Sequence, residues 1–258
     1  MITSFIKRFL YINNIIRYAQ IIDFKKFIKK NSDEIIADIG CGDGYLLAPL
    51  KNRYSYYYAV EPSEIYKKIN KNQKVKVLNE SSANISIKNN SIDTIILSSV
   101  IQMVRDDSFL LSECNRILKN DGRILMTFPS EYILIKSKYK FLSKFFEFFN
   151  KEFPLNYPEF KKKFNEHYKN SKGFYDIASM ELLAKKNNFK VINKKHNPGL
   201  LISYVHDISM IFKLFFGKRI SISKHLLIFF PLAYLDFMFF NNVGNEIFVE
   251  LKKVKNNE

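Results

Sequence analysis

The residues with the clearest chemical potential form one short stretch, Asp38 to Gly44, in which an acid is followed by glycines at alternate positions. The apolar run Ile35–Ile39 predicts a buried strand, and the apolar residues after Gly44 predict a helix. Glycines in such a turn let a ligand approach the backbone and permit positive φ angles. The helix N-terminus offers unpaired N–H groups to an anionic ligand group. The stretch therefore predicts the first nucleotide-binding unit of an α/β sheet.

The spacing of the glycines discriminates between nucleotide ligands. A dinucleotide fold has the pattern G-x-G-x-x-G, whereas this chain has Gly40, Gly42 and Gly44 with Asp38 before them. A NAD-dependent oxidoreductase is therefore a distant alternative, and an acid at this place suits a ligand with a cationic part. The stretch resembles the first motif, D-x-G-x-G-x-G, of the class I S-adenosylmethionine (SAM)-dependent methyltransferases with a type 11-like domain. The resemblance implies SAM as the cofactor, bound by Asp38, Gly40, Cys41, Gly42 and Gly44.

An acid also follows the second predicted strand, Tyr56–Val60, where Glu61 precedes Pro62. In a nucleotide-binding sheet, an acid at this place accepts hydrogen bonds from the ribose hydroxyls. We therefore predict that Glu61, which matches the second motif of the resembled family, binds the ribose. The same resemblance places Pro62 beside the cofactor, and a proline there ends the strand because it has no N–H to donate.

The third predicted strand, Val75–Leu78, leads into the loop that contacts adenine in the resembled family. That loop commonly carries an acid and a small residue, and the matching positions here hold Ser81 and Ser82. We expect these two serines at the adenine. A shift of one residue, by which Glu80 would supply the acid, stays open.

The segment Ser91–Ser99 predicts a fourth strand that is buried on both faces, because its apolar run is continuous. Its start resembles the family's S-F-D-x-V pattern, and the resemblance implies that Ser98 and Ser99 face SAM and the substrate. The stretch Leu110–Leu125 resembles the family's E-x-x-R-V-L-K-P-G-G-x-L pattern. It leads into a fifth predicted strand, Arg123–Phe128.

Together these patterns predict an α/β fold with a Rossmann-like, mostly parallel seven-stranded sheet, helices on both faces and an antiparallel strand seven. We expect residues 1–30 to form an N-terminal helical cover and residues 31–258 to form the methyltransferase domain, with its core at 34–129. Helical insertions after strands five and six are expected at about 130–172 and 198–245. The last two strands are predicted at Asn188–Ile192 and Glu246–Leu251.

The charge of the chain points to two classes of partner. Forty-one Lys and Arg residues against 25 Asp and Glu residues give a net charge of +16, which suits RNA or an anionic membrane surface. However, the abundant Lys, Asn, Ile, Phe and Tyr are all encoded by A/T-rich codons, and the lysines are spread along the chain. A skewed genome would produce this composition without selection for binding, so nucleic acid is the less favoured partner.

The expected location is the cytoplasm, with contact at a membrane surface as an alternative. Cys41 and Cys114 are too few for a disulfide framework or a zinc site, and no metal site is predicted. Residues Met1–Arg17 lack a cleavage site for a signal peptide. Leu226–Phe240 is shorter than the ~20 residues that a membrane span needs. The apolar segment around it is expected to pack as a cap or to bind a lipid-linked substrate.

The acceptor of the methyl group is predicted by elimination. Ser98–Ile101 stands where amino-group methyltransferases have [DN]-P-P-[YF], and the chain has no Pro-Cys nucleophile for cytosine. An oxygen of a small molecule, a sugar or a lipid-linked glycan precursor is therefore expected. A neutral hydroxyl needs a general base, for which we favour His167 over His206. One alternative, which the charge of +16 suggests, is an RNA methyltransferase. Another is a non-catalytic SAM-fold binding or partner subunit, because Ser81 replaces the family's acid and Gln102 lies where many members have a histidine.

Overall fold

The computed structural model of the chain describes residues 15–69, 73–82, 84–129, 136–148, 175–197 and 246–254, and isolated residues between 152 and 244. Its strands are β1 Ile35–Ile39, β2 Tyr56–Val60, β3 Val75–Leu78, β4 Ile92–Ser98, β5 Leu118–Pro129, β6 Phe189–Asn197 and β7 Glu246–Lys253. Its α-helices are α1 Ile15–Phe27, α2 Leu47–Leu50, α3 Asp107–Ile117, α4 Lys136–Phe148 and α5 Ile177–Lys186, and a 3-10 helix spans Glu64–Lys68.

The strands form one seven-stranded sheet in the order β3-β2-β1-β4-β5-β7-β6. The pairs from β3 to β5 are parallel, while β7 runs antiparallel to both β5 and β6. The predicted fold class is thereby confirmed, including the antiparallel strand seven. The connection after β1 leads to β2 on one side, whereas the connection after the neighbouring β4 leads to β5 on the other. Ligands of open α/β sheets bind at such a point.

Helices cover both faces of the sheet. Phe24 and Ile28, at the end of α1, and Leu46 and Leu50, around α2, pack on one face beside Phe248. On the other face, the apolar sides of α3 and α5 pack against the same strands, with Leu110, Leu111, Cys114, Ile117, Met180 and Ala184 all buried. The continuous apolar run of β4 is explained by this arrangement, since a strand in the middle of a two-sided core has no solvent face.

The fifth strand is longer than predicted. It begins at Leu118, which pairs with Ile92, and the next recorded pair joins Arg123 to Thr94. The register therefore shifts between these pairs, and residues 119–122 are accommodated as an irregularity within the strand instead of a turn before it. The helix α3 ends at Ile117 for the same reason, because its last carbonyl groups give way to strand pairing at Leu118.

The other boundaries differ by a few residues. Helix α5 begins after Asp176, whose side chain accepts a hydrogen bond from the Ser179 amide over 2.7 Å, while Ser179 returns the bond to the Asp176 amide. This capping box fixes the start of the helix at Ile177. Strand β6 extends to Asn197, because it pairs along the whole of β7.

The domain boundaries stay predictions. Helix α1 lies within the predicted N-terminal cover, and α4 lies within the predicted first insertion. Most of the two insertions, including the segment 198–243, lies outside the described residues. In the part of the chain that the structure describes, no helix combines the length and the apolar character needed to cross a membrane.

Candidate functional site

The glycine turn after β1 adopts left-handed backbone conformations. Gly40, Gly42 and Gly44 have φ angles of +71°, +56° and +72°. The amides of Gly40 and Cys41 donate to the Val60 carbonyl at the end of β2, over 2.8 and 3.1 Å. A side chain at Gly40 would collide with Val100, whereas one at Gly42 would meet no atom within 4 Å. The turn is therefore anchored at its start and has open space beside Gly42, where a ligand can approach the backbone.

Asp38 is buried at the end of β1 and has one unsatisfied oxygen. The Tyr57 hydroxyl donates to its Oδ2 over 2.6 Å, whereas its Oδ1 has no hydrogen-bond partner among the described residues. Burial, opposed by the Tyr57 hydrogen bond and reinforced by the nearby Glu61 charge, raises the pKa of Asp38 to about 7. A buried carboxylate oxygen without a partner is costly, so a cationic or hydrogen-bond-donating ligand would be stabilised here.

Glu61 follows β2 and is bound on both of its oxygens. Its Oε2 accepts from the Gly42 amide over 2.9 Å, and its Oε1 accepts from the Ser63 amide and hydroxyl over 3.0 and 2.6 Å. Each carboxylate oxygen has two lone pairs, so Oε1 is fully used and Oε2 can still accept one hydrogen bond from a ribose hydroxyl. Pro62, which follows, is exposed beside it.

The loop after β3 lies next to this acid. Asn79 donates from its side chain to the Glu61 carbonyl over 3.1 Å. Glu80 accepts a hydrogen bond from the Ser86 amide over 2.8 Å and another from the Ser86 hydroxyl, so its carboxylate holds the loop together. Ser81 and Ser82 stand between these contacts, and Ser81 is exposed. The structure thus places them one strand beyond Glu61, at the same edge of the sheet.

Ser98 and Ser99 end β4 on the other side of the glycine turn. The Tyr45 hydroxyl, from the turn itself, lies 2.6 Å from the Ser98 Oγ and donates to the Gln20 Oε1 over 2.6 Å. Ser99 has a φ angle of +56°, which is uncommon for a residue other than glycine and is held by the surrounding contacts. Ser98 and Ser99 therefore link the glycine turn to a buried polar cluster beyond β4.

The cluster is centred on Glu246, the first residue of β7. Its Oε1 accepts from Gln20 of α1 over 2.7 Å and from the Ser99 hydroxyl over 2.9 Å, while its Oε2 is buried without a partner among the described residues. Gln20 also donates to Ser99 and to Thr127 of β5, over 3.0 and 3.2 Å. Burial is the main reason that the pKa of Glu246 is raised to about 7.

Sequence reasoning missed this cluster. Gln20 is one of several polar residues of α1, and Glu246 is the first residue of the predicted strand seven. Each pattern taken alone is typical of a solvent-facing residue, and only the sheet order brings the two within hydrogen-bond distance. The predicted base, His167, lies outside the described residues.

Cys41 has no feature of a nucleophile or a metal ligand. Burial raises the pKa of its thiol, which disfavours the thiolate. Within the described residues there is no group of His, Cys, Asp and Glu side chains arranged to hold a metal ion.

The residues around the turn fit SAM. The unsatisfied Asp38 Oδ1 and the neighbouring Glu61 give the site a negative charge, and the backbone at Gly42 is open to a ligand. SAM carries a sulfonium and an ammonium, and when bound it supplies a methyl group that a nucleophile can displace from sulfur. The acid before the turn would face its cationic part, and Glu61 would accept from its ribose.

Comparison with known proteins agrees with the geometry. Residues 37–126 match the model of a methyltransferase domain family. A protein of Bacillus halodurans described as a methyltransferase shares the fold with a TM-score of 0.60, at 11% identity over 91% of this chain and 99% of its own. For a SAM-dependent methyltransferase of Listeria monocytogenes the TM-score is 0.57, at 10% identity over 91% and 97%.

A third solved structure is a complex between the Haloferax volcanii Trm112 methyltransferase activator and a methyltransferase. Its matching chain has a TM-score of 0.56 at 11% identity, with 88% of this chain and 86% of that chain covered. No curated protein matches the chain. The likenesses to solved structures show the fold, and the matched domain contains the acid and the glycine turn of the site. Residues 37–126 are thus those of a methyltransferase domain, and the chain has the fold of solved SAM-dependent methyltransferases.

Proposed function

We propose that this methyltransferase transfers the methyl group of SAM to an oxygen atom of a small molecule, a sugar or a lipid-linked glycan precursor. The observation that carries the proposal is the segment after β4, where Ser98 and Ser99 lead into Val100 and Ile101. The [DN]-P-P-[YF] motif, which binds an amino or amide acceptor group, does not occur at this place in the sequence. Hydroxyl groups and the Glu246 carboxylate stand there instead, and they suit an acceptor that is itself a hydroxyl compound.

The cofactor side of the proposal rests on the two acids and the turn. We propose that Asp38, Glu61 and the open backbone of the glycine turn hold SAM, with Ser81 and Ser82 beside the adenine. The support is the unsatisfied Asp38 Oδ1 and the one acceptor site that Glu61 Oε2 has free. Methyl transfer is an in-line displacement with a good leaving group, so the protein's main task is to align the acceptor oxygen with the methyl group.

An acceptor screen with SAM labelled in its methyl group tests the proposal. Purified protein is incubated with hydroxylated metabolites, free sugars and polyprenyl-phosphate-linked saccharides. The matched control is Glu61→Gln, which lacks the carboxylate proposed to bind the ribose. The expected result is label that is stable as an ether on a hydroxyl compound and absent in the control. Label on nitrogen alone would overturn the proposal.

The net charge of +16 favours RNA as a second candidate acceptor. An RNA methyltransferase of this charge binds tRNA tightly and with a steep dependence on salt, because bound phosphates release counterions. Including tRNA in the screen decides between the two candidates. Methylated tRNA together with salt-dependent binding would replace the first proposal with this one.

A non-catalytic or partner-dependent subunit remains the third reading. The Haloferax volcanii structure is one case in which a methyltransferase fold is found with an activator. This reading predicts SAM binding in calorimetry without turnover on any acceptor. Turnover by the isolated chain would exclude it.

If the acceptor is lipid-linked, we propose that the protein contacts the membrane surface. The exposed side chain of Phe148 on the basic helix α4 is compatible with an interfacial position. Flotation with liposomes that contain anionic lipid measures this directly. Absence of the protein from the floated fraction would contradict membrane contact and leave a free acceptor.

A further inference from the structure

The positions of the site residues set a direction for the cofactor. Glu61 follows β2, the glycine turn follows β1, and Ser98 ends β4, so these groups lie in that order along the carboxyl edge of the sheet. A nucleoside whose ribose meets Glu61 lies over β2. The rest of SAM then extends across the turn toward β4. The transferred methyl group and its acceptor are therefore expected on the β4 side of the site.

Glu246 stands on that side. Strand β7 is antiparallel, so its first residue lies at the edge where β5 ends, and Glu246 pairs with Pro129 of β5 and Asn197 of β6. Its carboxylate reaches the Ser99 hydroxyl at the end of β4. A continuous chain of hydrogen bonds joins it through Gln20 to Tyr45 of the glycine turn.

The two oxygens of Glu246 differ in their bonding. Gln20 and Ser99 donate to Oε1, whereas Oε2 is buried without a donor among the described residues. An unsatisfied buried carboxylate oxygen costs free energy comparable to a lost hydrogen bond to a charged group. The fold has fixed the carboxylate firmly through one oxygen and left the other available to a ligand that brings a donor.

We propose that Glu246 is the carboxylate that contacts the methyl acceptor, an inference that rests on the proposed O-methylation. Its Oε2 accepts a hydrogen bond from the nucleophilic hydroxyl and then receives the proton of that hydroxyl. As the oxygen–carbon bond forms, the carbon–sulfur bond of SAM breaks and its electron pair stays on sulfur. The products are the methyl ether, S-adenosylhomocysteine and a protonated Glu246.

The electrostatic surroundings suit a proton acceptor. The titratable side chains that face Glu246 in the described part of the chain are Asp23 of α1, which pairs with Lys195 of β6, and Tyr45 of the turn. Burial and the Asp23 charge raise the pKa of Glu246 to about 7, against the hydrogen bonds from Gln20 and Ser99. A general base works best when its pKa lies near the operating pH.

The test uses two ligands that bind the cofactor site and needs no identified acceptor. Sinefungin is a SAM analogue that carries an amine in place of the transferable methyl group, and S-adenosylhomocysteine lacks any group there. Calorimetry compares their affinities for the wild-type protein and for Glu246→Gln. If Oε2 faces the transferred methyl, the variant loses about tenfold or more in sinefungin affinity and about threefold or less in S-adenosylhomocysteine affinity.

The matched control is Glu250→Gln, which removes another buried carboxylate of β7, one that is bound by Arg123 and Asn193. It is expected to leave the ratio of the two affinities unchanged. Equal losses of both ligands in Glu246→Gln, or no loss of either, would overturn the assignment. If Glu246→Gln does not fold, a crystal structure of the wild-type protein with sinefungin decides: an amine within about 3.2 Å of Oε2 supports it, and one beyond hydrogen-bond distance refutes it.

The two proposals fail in different ways. A wild-type protein that binds S-adenosylhomocysteine but methylates no hydroxyl refutes O-methylation, while the sinefungin ratio still reports where Glu246 points. With a hydroxyl acceptor in hand, the wild-type kcat rises with pH through about 7, as the carboxylate forms. The absence of that rise would refute the role of Glu246 as proton acceptor.

Discussion

The Gly42 amide donates a hydrogen bond to the Glu61 carboxylate over 2.9 Å, so the turn after β1 and the acid after β2 hold each other in place. The same carboxylate accepts from Ser63, which ties it to the start of the following 3-10 helix. Its orientation is therefore set before any ligand arrives. Preorganisation of this kind lowers the entropy lost when a ligand binds.

Substitution of Glu61 tests this preorganised contact. Glu61→Gln keeps the shape of the side chain but loses the negative charge and one of the two acceptor oxygens. We expect SAM affinity to fall by about tenfold or more, measured by calorimetry. Glu64→Gln is the matched control, because Glu64 is an exposed acid nearby that pairs only with Lys67 among the described contacts. An equal loss in the control would attribute the effect to net charge.

Two alanine substitutions in the turn separate folding from binding. Both Gly40 and Gly42 have positive φ, but a Cβ at Gly40 would lie 2.6 Å from the Val100 Cγ2, whereas one at Gly42 meets nothing within 4 Å. Valine has little freedom at χ1, so Gly40→Ala should lower the free energy of unfolding by about 2 kcal/mol or more. Gly42→Ala should cost about 1 kcal/mol from backbone strain alone.

The effects on binding are expected to differ in the same pair. Gly42→Ala should remain folded and lose SAM affinity, because its methyl group occupies the space beside the open backbone. Denaturant titration and calorimetry measure the two quantities on each variant. A Gly42→Ala protein with wild-type affinity would show that the ligand does not approach the turn at this residue.

The parts of the site that are close in sequence could be predicted, and the part assembled across the sheet could not. Asp38 with its glycine turn follows one predicted strand, and Glu61 follows another. Both strands can be predicted from their apolar residues. Glu246 and Gln20 are 226 residues apart, and their contact depends on β7 entering between β5 and β6. Local sequence patterns predict strands but not the order in which they pair, so the contact between Gln20 and Glu246 could not be predicted.

The hydrogen bond between Tyr57 and Asp38 makes a prediction about pH. The Tyr57 hydroxyl lowers the pKa of Asp38 against the effect of burial, which is larger. Tyr57→Phe should therefore raise that pKa above about 7 and reduce the fraction of carboxylate at neutral pH. SAM affinity should fall most near pH 7 and recover as the pH rises.

Tyr54→Phe is the control for this change. Tyr54 packs on Tyr57 with ring centroids 4.9 Å apart, so it tests the loss of a neighbouring hydroxyl without the bond to Asp38. Calorimetry at several pH values between 6 and 9 gives both profiles. A Tyr57→Phe profile parallel to that of Tyr54→Phe would contradict a role for Asp38 ionisation in binding.

The attachment of α1 gives a prediction about stability. Gln20 is buried and bonded to Tyr45, Ser99, Thr127 and Glu246, whereas Arg17 pairs with Asp43 at a site where both side chains are about one third exposed. Gln20→Leu removes a hydrogen-bond partner from several buried polar groups and should lower the free energy of unfolding by about 2–3 kcal/mol. Arg17→Met should cost about 1 kcal/mol or less, because exposed ion pairs are screened. Denaturant unfolding that reverses this order would contradict the described packing of α1.

Glu246 also makes the stability of the protein depend on pH. Its pKa is raised from 4.5 to about 7 by burial, so the folded state binds a proton more tightly than the unfolded state does. The stability from this group is fully present below pH 4.5 and is lost as the pH rises through about 7. Across that window the free energy of unfolding should fall by roughly 1 kcal/mol per pH unit relative to Glu246→Gln. Asp38 acts in the same direction in both proteins, so the difference between them isolates Glu246. Denaturant unfolding at pH 5, 6, 7 and 8 measures it, and parallel curves for the two proteins would mean that Glu246 is ionised throughout.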